Sequence, residues 1–207
     1  MARLLGNNMW HWDRPIILAS TSPRRQELLA EVVDDFTIVP PNCDDGQFKI
    51  GTMPPTKWVR ILAILKAQNV QQGCELARGT IVSADTVCVL GDEIYGQPQN
   101  ADEAMLMITS MMEIHHDVLT GWCLLSTDGS MLLSGTEKTN VHIGAFKGSK
   151  LEYHFDNNEW MGKAGGYNFI DCFRRGWPLT WHGEIENVMG LPVKKMKKLL
   201  GKKCSSI

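Results

Sequence analysis

The sequence predicts an α/β fold with a mixed sheet and flanking helices, and two observations lead to this prediction. In the first half of the chain, short apolar runs typical of buried strands alternate with helix-like segments. In the second half, apolar runs follow one another without a helix between them, as in a strand meander. At 207 residues, the chain is long enough for one sizeable core and too short for several domains.

The first strand and the first helix are predicted on either side of a short hydroxyl-rich segment. PIILAS (15–20) is an apolar run that ends in small residues, and SPRRQELLAEV (22–32) carries an apolar stripe at helical spacing. Ser22 is suited to the N-cap and Pro23 to the first helical position. DFTIVPPNC (35–43) is then predicted as a strand that its proline pair stops.

The next elements alternate between helix and strand. PPTKWVRILAILKAQNVQQG (54–73) has apolar residues near helical spacing, and Gly73 is a natural stop. GTIVSADTVCVLGDEIYGQP (79–98) is predicted as a strand, a Gly-Asp turn and a short second strand. NADEAMLMITSMM (100–112) is a helix with acidic residues in its first turn, where they favour the helix dipole.

The meander and two more helices complete the fold prediction. HDVLTGWCLLS (116–126) and MLLSGTEKTNVHI (131–143) are its strands. A short helix is predicted over SKLEYHFDN (149–157) and a terminal one over VKKMKKLLGKK (193–203).

Composition narrows the class of protein. The formal net charge of −2 disfavours a protein that binds nucleic acid in bulk. The six cysteines are scattered without paired spacing, which predicts reduced thiols in a cytoplasmic protein rather than a disulfide framework or a zinc site. The net charge therefore predicts no nucleic-acid partner, and because no apolar run is long enough to span a bilayer, we also expect no membrane partner.

Hydroxyl and guanidinium groups lie together where the first strand meets the first helix. A helix N-terminus offers free backbone N–H groups and a positive dipole end, which favour an anion. Ser20 and Ser22 add hydroxyl donors, and Arg24 and Arg25 could hold phosphate oxygens in bidentate fashion. The alternative is a simple N-cap at Ser22 beside two solvated arginines.

Three further segments carry candidate chemistry. Asp85 lies in the apolar run SADTVCV, where a buried carboxylate needs a metal, a cation or a proton donor, unless it only caps a turn. Asp44 and Asp45 follow a strand into a loop and could hold Mg²⁺ beside a triphosphate, or form a solvated acidic turn. The glycines of MGKAGGYN (161–168) permit close backbone approach to a ligand, although the phosphate-loop spacing fails.

Taken in order, these segments resemble the Maf (septum-formation) family of nucleoside triphosphate pyrophosphatases. LASTSPRRQELL matches the family signature L-A-S-x-S-P-R-R-x-E-L-L at every fixed position. LAILKA matches L-A-x-x-K-A, and SADTVCVLGDEIYGQP matches the A-D-T-V…G-x-I-x-G-K-P block. HDVLTG, NNEWMGKAGGY and NVMGLP match three later motifs in family order. Six motifs match in family order over residues 16–200, which is too many for a chance resemblance.

The resemblance implies a twisted mixed sheet with two lobes around a cleft, of the kind shared with inosine triphosphatases. It implies a single domain over residues 15–201, with an N-terminal extension (1–14) and a C-terminal tail (202–207). The implied reaction is hydrolysis of a nucleoside triphosphate to its monophosphate and pyrophosphate in a cytoplasmic homodimer. The implied cofactor is a divalent metal, foremost Mg²⁺, with Mn²⁺ or Co²⁺ as alternatives.

The resemblance also assigns roles by position. Asp85 would be the general base or a metal ligand, Asp45 a second metal ligand, and Lys66 and Arg24 would act with Asp85 in catalysis. The substrate would be bound by residues from three of the motifs, namely Ser20, Ser22, Arg24, Arg25, Gln97, Lys163 and Tyr167. The doubled Arg in SPRR resembles the branch of the family that acts on dTTP and UTP, and modified nucleotides are further candidate substrates.

Three departures from the family pattern bear on activity. Gln97 replaces a lysine, Ile170 stands where the family has Gln, and Asp45 is one methylene shorter than the usual Glu. Asp171 could supply the lost polar group only with a shift of one residue. The alternative function is therefore a catalytically impaired nucleotide-binding regulatory protein of the same fold.

Overall fold

The computed structural model of the chain describes residues 12–42 and 53–201. The strands are β1 (Ile16–Leu18), β2 (Thr37–Ile38), β3 (Thr80–Leu90), β4 (Glu93–Tyr95), β5 (His115–Ser126), β6 (Leu132–Ile143) and β7 (Leu179–His182). The helices are α1 (Pro23–Ala30), α2 (Pro55–Gln72), α3 (Ala101–Met111), α4 (Ser149–Asp156), α5 (Phe169–Arg174), α6 (Ile185–Val188) and α7 (Val193–Leu200).

Over the described residues, the strands form a seven-stranded sheet in the order β2-β1-β3-β5-β6-β7, and β4 pairs with β3. Parallel and antiparallel pairs both occur, since β1 is parallel to β2 and β3 whereas β3–β4 and β6–β7 are antiparallel. The predicted α/β class with a mixed sheet is confirmed. Over the same residues, no helix combines the length and the apolar character that a membrane crossing requires.

The chain divides into two compact units. The first unit comprises the described parts of three ranges, Met1–Asp85, Thr120–Glu137 and Gly190–Ile207. The second unit comprises Thr86–Leu119 and Lys138–Met189. Three of the four unit boundaries fall within β3, β5 and β6, and the fourth lies between α6 and α7.

The first unit is built on parallel β-α-β connections. In register, Leu18 of β1 pairs with Ile38 of β2 and with Val82 of β3. One part of its core lies between α2 and these strands, and small side chains on α2 allow the helix to approach closely. The buried residues of this part are Ile17, Ala19, Ala63, Ala67, Val70, Ile81, Cys123 and Leu125.

The second unit has its own core, which gathers α3, the ends of β5 and β6, and α5. Its buried residues are Cys88, Met107, Ile108, Met111, Val118, Val141, Ile143, Tyr167, Phe169, Cys172, Trp177 and Leu179. Helix α3 begins at Asn100, whose Oδ1 accepts from the backbone N–H of Glu103 at 2.8 Å. The Glu103 carboxylate accepts in return from the Gln99 N–H at 2.7 Å, which completes a reciprocal cap.

The structure departs from the sequence prediction in its shortest elements. The strand predicted over residues 35–43 reduces to the two exposed residues of β2 at one edge of the sheet, where a strand is paired on one side only. The elements α5, β7 and α6 were absent from the prediction. They have four to six residues each, and β7 is held by antiparallel pairing to β6, a contact that local sequence does not reveal.

Candidate active site

The hydroxyl and guanidinium groups at the start of α1 form a hydrogen-bonded cluster. Ser20, only 4% exposed, accepts from the backbone N–H of Ser22 at 3.2 Å and lies 3.5 Å from Nη1 of Arg25. Ser22 is the N-cap of α1, and its Oγ accepts from the Arg25 N–H at 3.5 Å. The Nε of Arg25 donates to the carbonyl of Gly190 at 2.9 Å. Ser22 is therefore a cap, as predicted, and Arg25 is held by the first unit rather than left in solvent.

The two arginines differ in their surroundings. Arg24 pairs with Glu27 one turn later on the exposed side of α1, at 2.9 Å. An exposed pair of this kind contributes little to stability, so its guanidinium can exchange partners at low cost. Arg25, by contrast, is tied to a carbonyl from a segment 165 residues away.

Lys66 and Asp85 form a buried ion pair. The Lys66 Nζ lies 2.5 Å from Oδ1 of Asp85, and each residue is 8% exposed. Breaking such a pair from one side leaves an uncompensated charge in a poorly solvated place, which costs about 3–5 kcal/mol. Asp85 is thus not a carboxylate that merely caps a turn.

Strand register brings the pair to the same level of the sheet as the α1 cluster. Leu18, the last residue of β1, pairs with Val82, so Ser20 lies just beyond the carboxyl end of β1, whereas Asp85 lies within β3, which continues to Leu90. The N–H of Ala19 donates to the Val82 carbonyl at 2.8 Å, and Ser20 and Asp85 follow within three residues. Crevices at this edge of parallel strands are the usual place for ligands in α/β proteins.

Two contacts set the position of α2, which carries Lys66. The Ser83 Oγ donates to the Ala63 carbonyl at 2.6 Å and joins β3 to the helix. At Gly121 of β5, a Cβ would lie 2.2 Å from the Val59 carbonyl oxygen and 2.6 Å from the Arg60 nitrogen. The helix backbone therefore packs directly on the strand, and no residue other than glycine fits at this position.

The second unit carries the remaining predicted substrate residues. Gln97 is exposed in the loop after β4, and the preceding Gly96 accepts from the N–H of Gly165 at 2.9 Å. Gly165 lies in a 3-10 turn, Ala164–Gly166, and has a φ of +69°. A Cβ added at this residue would lie 2.9 Å from the Cys88 Sγ. Lys163 directly precedes this turn and is half-buried. Glycine is required here by both the backbone conformation and the close contact.

Tyr167 is buried, 5% exposed, and its phenol is engaged by the protein itself. Its hydroxyl lies 2.8 Å from Nε2 of His116, which is 1% exposed. Burial raises the pKa of Tyr167 well above its ordinary value, and burial lowers the pKa of His116 to about 4. Both side chains are therefore neutral near pH 7, and the hydrogen bond fixes the loop that begins at Lys163.

Acid should weaken the fold through His116. Unfolding returns the imidazole to its ordinary pKa of 6.5, so between about pH 6.5 and pH 4 the unfolded state binds more protons than the folded state. We expect this group's contribution to be complete above pH 6.5 and to be lost as the pH falls, by about 3 kcal/mol in total. Urea unfolding across this range should show a shallower pH dependence in His116→Gln than in the wild type. Parallel profiles for the two proteins would contradict the assignment.

Lys163 also lines a small cavity within the second unit, of about 220 Å³. Asp171 reaches the same cavity from the first turn of α5, where Asn168 is the cap. The other polar lining includes His154 and Glu159, and Glu159 pairs with Arg175. The sequence analysis did not single out His154, and it included Glu159 only as part of the motif NNEWMGKAGGY; the contacts of His154 with Gly166 and of Glu159 with Arg175 follow from the folded structure.

Not every predicted site residue can be placed. Asp44 and Asp45 lie outside the described residues. Over the parts of the chain that are described, no three His, Cys, Asp or Glu side chains are grouped so that they could hold a metal ion. The carboxylate of Asp85 is nevertheless of the donor class that Mg²⁺ uses, and Mg²⁺ is commonly held by one or two carboxylates plus substrate phosphates.

Comparison with known proteins agrees with the motif pattern. A dTTP/UTP pyrophosphatase from Pyrococcus furiosus is 35% identical over 189 residues, which cover 90% of this chain and 94% of that protein. A dTTP/UTP pyrophosphatase from Ruminiclostridium cellulolyticum is 32% identical over 192 residues, with 91% and 96% covered.

A solved structure of a nucleoside-triphosphatase, described as a dITP/XTP pyrophosphatase, from Mycobacterium abscessus covers 62% of this chain and 73% of its own. Its TM-score of 0.41 and its 14% identity are too low to bear on the fold. The profile of the family described as Maf-like protein matches residues 15–203. With both the ordered motifs and this match, the chain belongs to the Maf-like protein family.

Proposed function

We propose that the chain hydrolyses a pyrimidine nucleoside triphosphate, dTTP or UTP, to the monophosphate and pyrophosphate. The observation that carries the proposal is the buried Lys66–Asp85 pair at the same level of the sheet as the capped N-terminus of α1. The curated relatives named dTTP/UTP pyrophosphatase support the same reaction.

Each predicted site residue in the first unit has a role suited to cleavage of the phosphoanhydride bond. This reaction depends more on neutralising charge and orienting water than on covalent chemistry. Asp85 accepts a proton from the attacking water, and Lys66 balances the charge of its carboxylate. Ser20, Ser22 and the two arginines bind phosphate oxygens together with the N-terminus of α1.

The proposed cofactor is Mg²⁺, with Mn²⁺ or Co²⁺ as substitutes. Asp85 would hold it, with Asp45 as the second carboxylate that the family resemblance implies. When bound, such an ion neutralises phosphate charge and orients the substrate. We further propose that substrate binding involves Gln97, Lys163 and Tyr167. Tyr167 contributes by holding its loop in place through the hydrogen bond to His116. A homodimer and a cytoplasmic location remain predictions from the resemblance.

A substrate panel tests the base preference. Natural and modified triphosphates are compared with Mg²⁺ present, and pyrophosphate is measured separately from phosphate. We expect the highest kcat/KM for dTTP and UTP. A preference for purine triphosphates would contradict the proposed base selectivity while leaving the reaction type intact. Tight nucleotide binding without any turnover would favour the regulatory alternative.

Adding a cation at position 97 should improve substrate binding. Gln97→Lys places an ammonium where Gln97 is exposed, next to the Gly96–Gly165 contact. An exposed ion pair is worth up to about 1 kcal/mol, so KM for the triphosphate should fall by up to about fivefold. Gln72→Lys, the same change at an exposed position at the end of α2, is the matched control and should leave KM unchanged. Equal effects from both changes would argue against a substrate contact at position 97.

A further inference from the structure

Two histidines that the proposed reaction does not use lie side by side in the second unit. His115 of β5 is exposed, and His142 of the neighbouring strand β6 is half-buried. Their ring centres are 4.7 Å apart and the ring planes are inclined by 40°. His116, the next residue after His115, points into the core, so His115 belongs to the outer side of β5.

A hydrogen-bond chain fixes the tautomer of His115. The Nδ2 of Asn140 donates to Oδ1 of Asp117 at 3.0 Å and to the His116 carbonyl at 3.3 Å, so its Oδ1 is the end directed at His115. That Oδ1 lies 2.8 Å from Nδ1 of His115. The network therefore assigns the proton to Nδ1, and in the neutral ring the lone pair is on Nε2. Lys138 in turn holds the Asp117 carboxylate at 3.1 Å.

This is the arrangement of a metal-binding histidine. A ligating imidazole commonly donates its other N–H to an oxygen that orients the ring and fixes the tautomer. Two imidazoles on one tetrahedral ion, with metal–nitrogen bonds of about 2.0–2.1 Å, hold their ring centres about 5 Å apart. The observed separation of 4.7 Å is close to that value.

We propose that His115 and His142 bind a divalent transition-metal ion of the Zn²⁺, Ni²⁺ and Cu²⁺ class. Imidazole suits these ions, whereas Mg²⁺ prefers oxygen ligands. No third His, Cys, Asp or Glu among the described residues completes a ligand set with the pair, so water fills the remaining positions. The site is separate from the residues proposed for triphosphate hydrolysis and does not depend on that function.

His182 provides a matched control. It is exposed on β7 and pairs across the strands with Asn140, whereas His142 pairs with Thr180. It lies on the same face of the sheet as His142, but because no group of three such side chains occurs among the described residues, the proposal leaves it without a ligand role. Asn140→Ala gives a second kind of variant, because it keeps both proposed ligands and removes only the group that orients His115.

The test is calorimetric titration of the full chain with ZnCl₂ at about pH 7.5. We expect one saturable site whose Kd rises at least about tenfold in His115→Gln and in His142→Gln, and about 10- to 100-fold in Asn140→Ala. His182→Gln should bind as the wild type does. With Cu²⁺, the electron paramagnetic resonance spectrum should show coupling to two nitrogens, and excess MgCl₂ should not compete.

Three results would overturn the proposal. These are absence of saturable Zn²⁺ binding, unchanged binding in His142→Gln, and a loss in His182→Gln as large as that in the pair variants. Thermal unfolding without metal shows whether each variant is folded; we expect midpoints near the wild type for the histidine variants and a somewhat lower midpoint for Asn140→Ala, which loses three hydrogen bonds. Loss of nucleotide hydrolysis would not bear on the outcome, since the readout is metal affinity.

Discussion

Asp85→Asn should abolish most of the pyrophosphate release while leaving nucleotide binding measurable. The amide keeps the shape of the carboxylate but cannot accept the proton of the attacking water. General-base catalysis contributes about 10²- to 10⁴-fold, so we expect kcat to fall by that factor. The measurement is steady-state pyrophosphate release from dTTP and UTP with Mg²⁺ present. Asp92→Asn, at an exposed carboxylate in the turn between β3 and β4, is the control and should keep wild-type kcat.

Loss of stability has to be separated from loss of catalysis in this variant. Asp85→Asn leaves the buried Lys66 ammonium without its counter-ion at 2.5 Å, so the free energy of unfolding should also fall. Adding Lys66→Met removes the second charge and should recover stability, because buried ion pairs can often be replaced by apolar side chains at little cost. Activity should stay absent in the double variant. Recovery of activity along with stability would contradict a chemical role for Asp85.

Gly121→Ala should impair both stability and activity, although the residue is placed on β5 rather than among the phosphate-binding groups. The new Cβ would lie 2.2 Å from the Val59 carbonyl oxygen and 2.4 Å from its carbon, so α2 must move away from the sheet. Overpacking of this kind costs about 1–3 kcal/mol. The same movement displaces Lys66 on α2, and a shift of about 1 Å in a catalytic group can cost about 10²-fold in rate.

Gly73→Ala is the matched control on the same helix. Gly73 is the C-cap of α2, its φ is −97°, and the nearest atom to a Cβ there is the Val70 carbonyl oxygen at 3.9 Å. We expect wild-type kcat and a free energy of unfolding close to that of the parent. Urea unfolding and kcat/KM on all three proteins make the comparison. An active, stable Gly121→Ala protein would show that the position of α2 does not set the position of Lys66.

Much of the first unit could be predicted because its determinants are local. Ser22 and Pro23 indicate the start of α1, and Gly73 indicates the end of α2, because helix capping depends on residues within one turn. Asp85 could be singled out because a carboxylate in an apolar strand demands a partner. The family resemblance placed Lys66 in the same site as a cation, but it did not identify Lys66 as the partner of Asp85.

The remainder depends on contacts that local patterns do not encode. The carbonyl that holds Arg25 belongs to Gly190, and the hydrogen-bond partner of the Tyr167 phenol is the imidazole of His116. Gly121 belongs to the motif HDVLTG, but the requirement for glycine there follows only from the close packing of the α2 backbone on β5. The short elements α5, α6 and β7 form because neighbouring segments pack against them, and propensity summed over four to six residues is too weak a signal to predict them.

The product analysis of a single reaction tests the proposed activity most directly. The full chain is incubated with UTP and Mg²⁺, and nucleotide and phosphate products are separated and quantified. Cleavage between the α and β phosphates predicts UMP and pyrophosphate in equal amounts, and neither product from Asp85→Asn beyond a trace. Formation of UDP and inorganic phosphate, or no product from any triphosphate, would contradict the proposed pyrophosphatase activity.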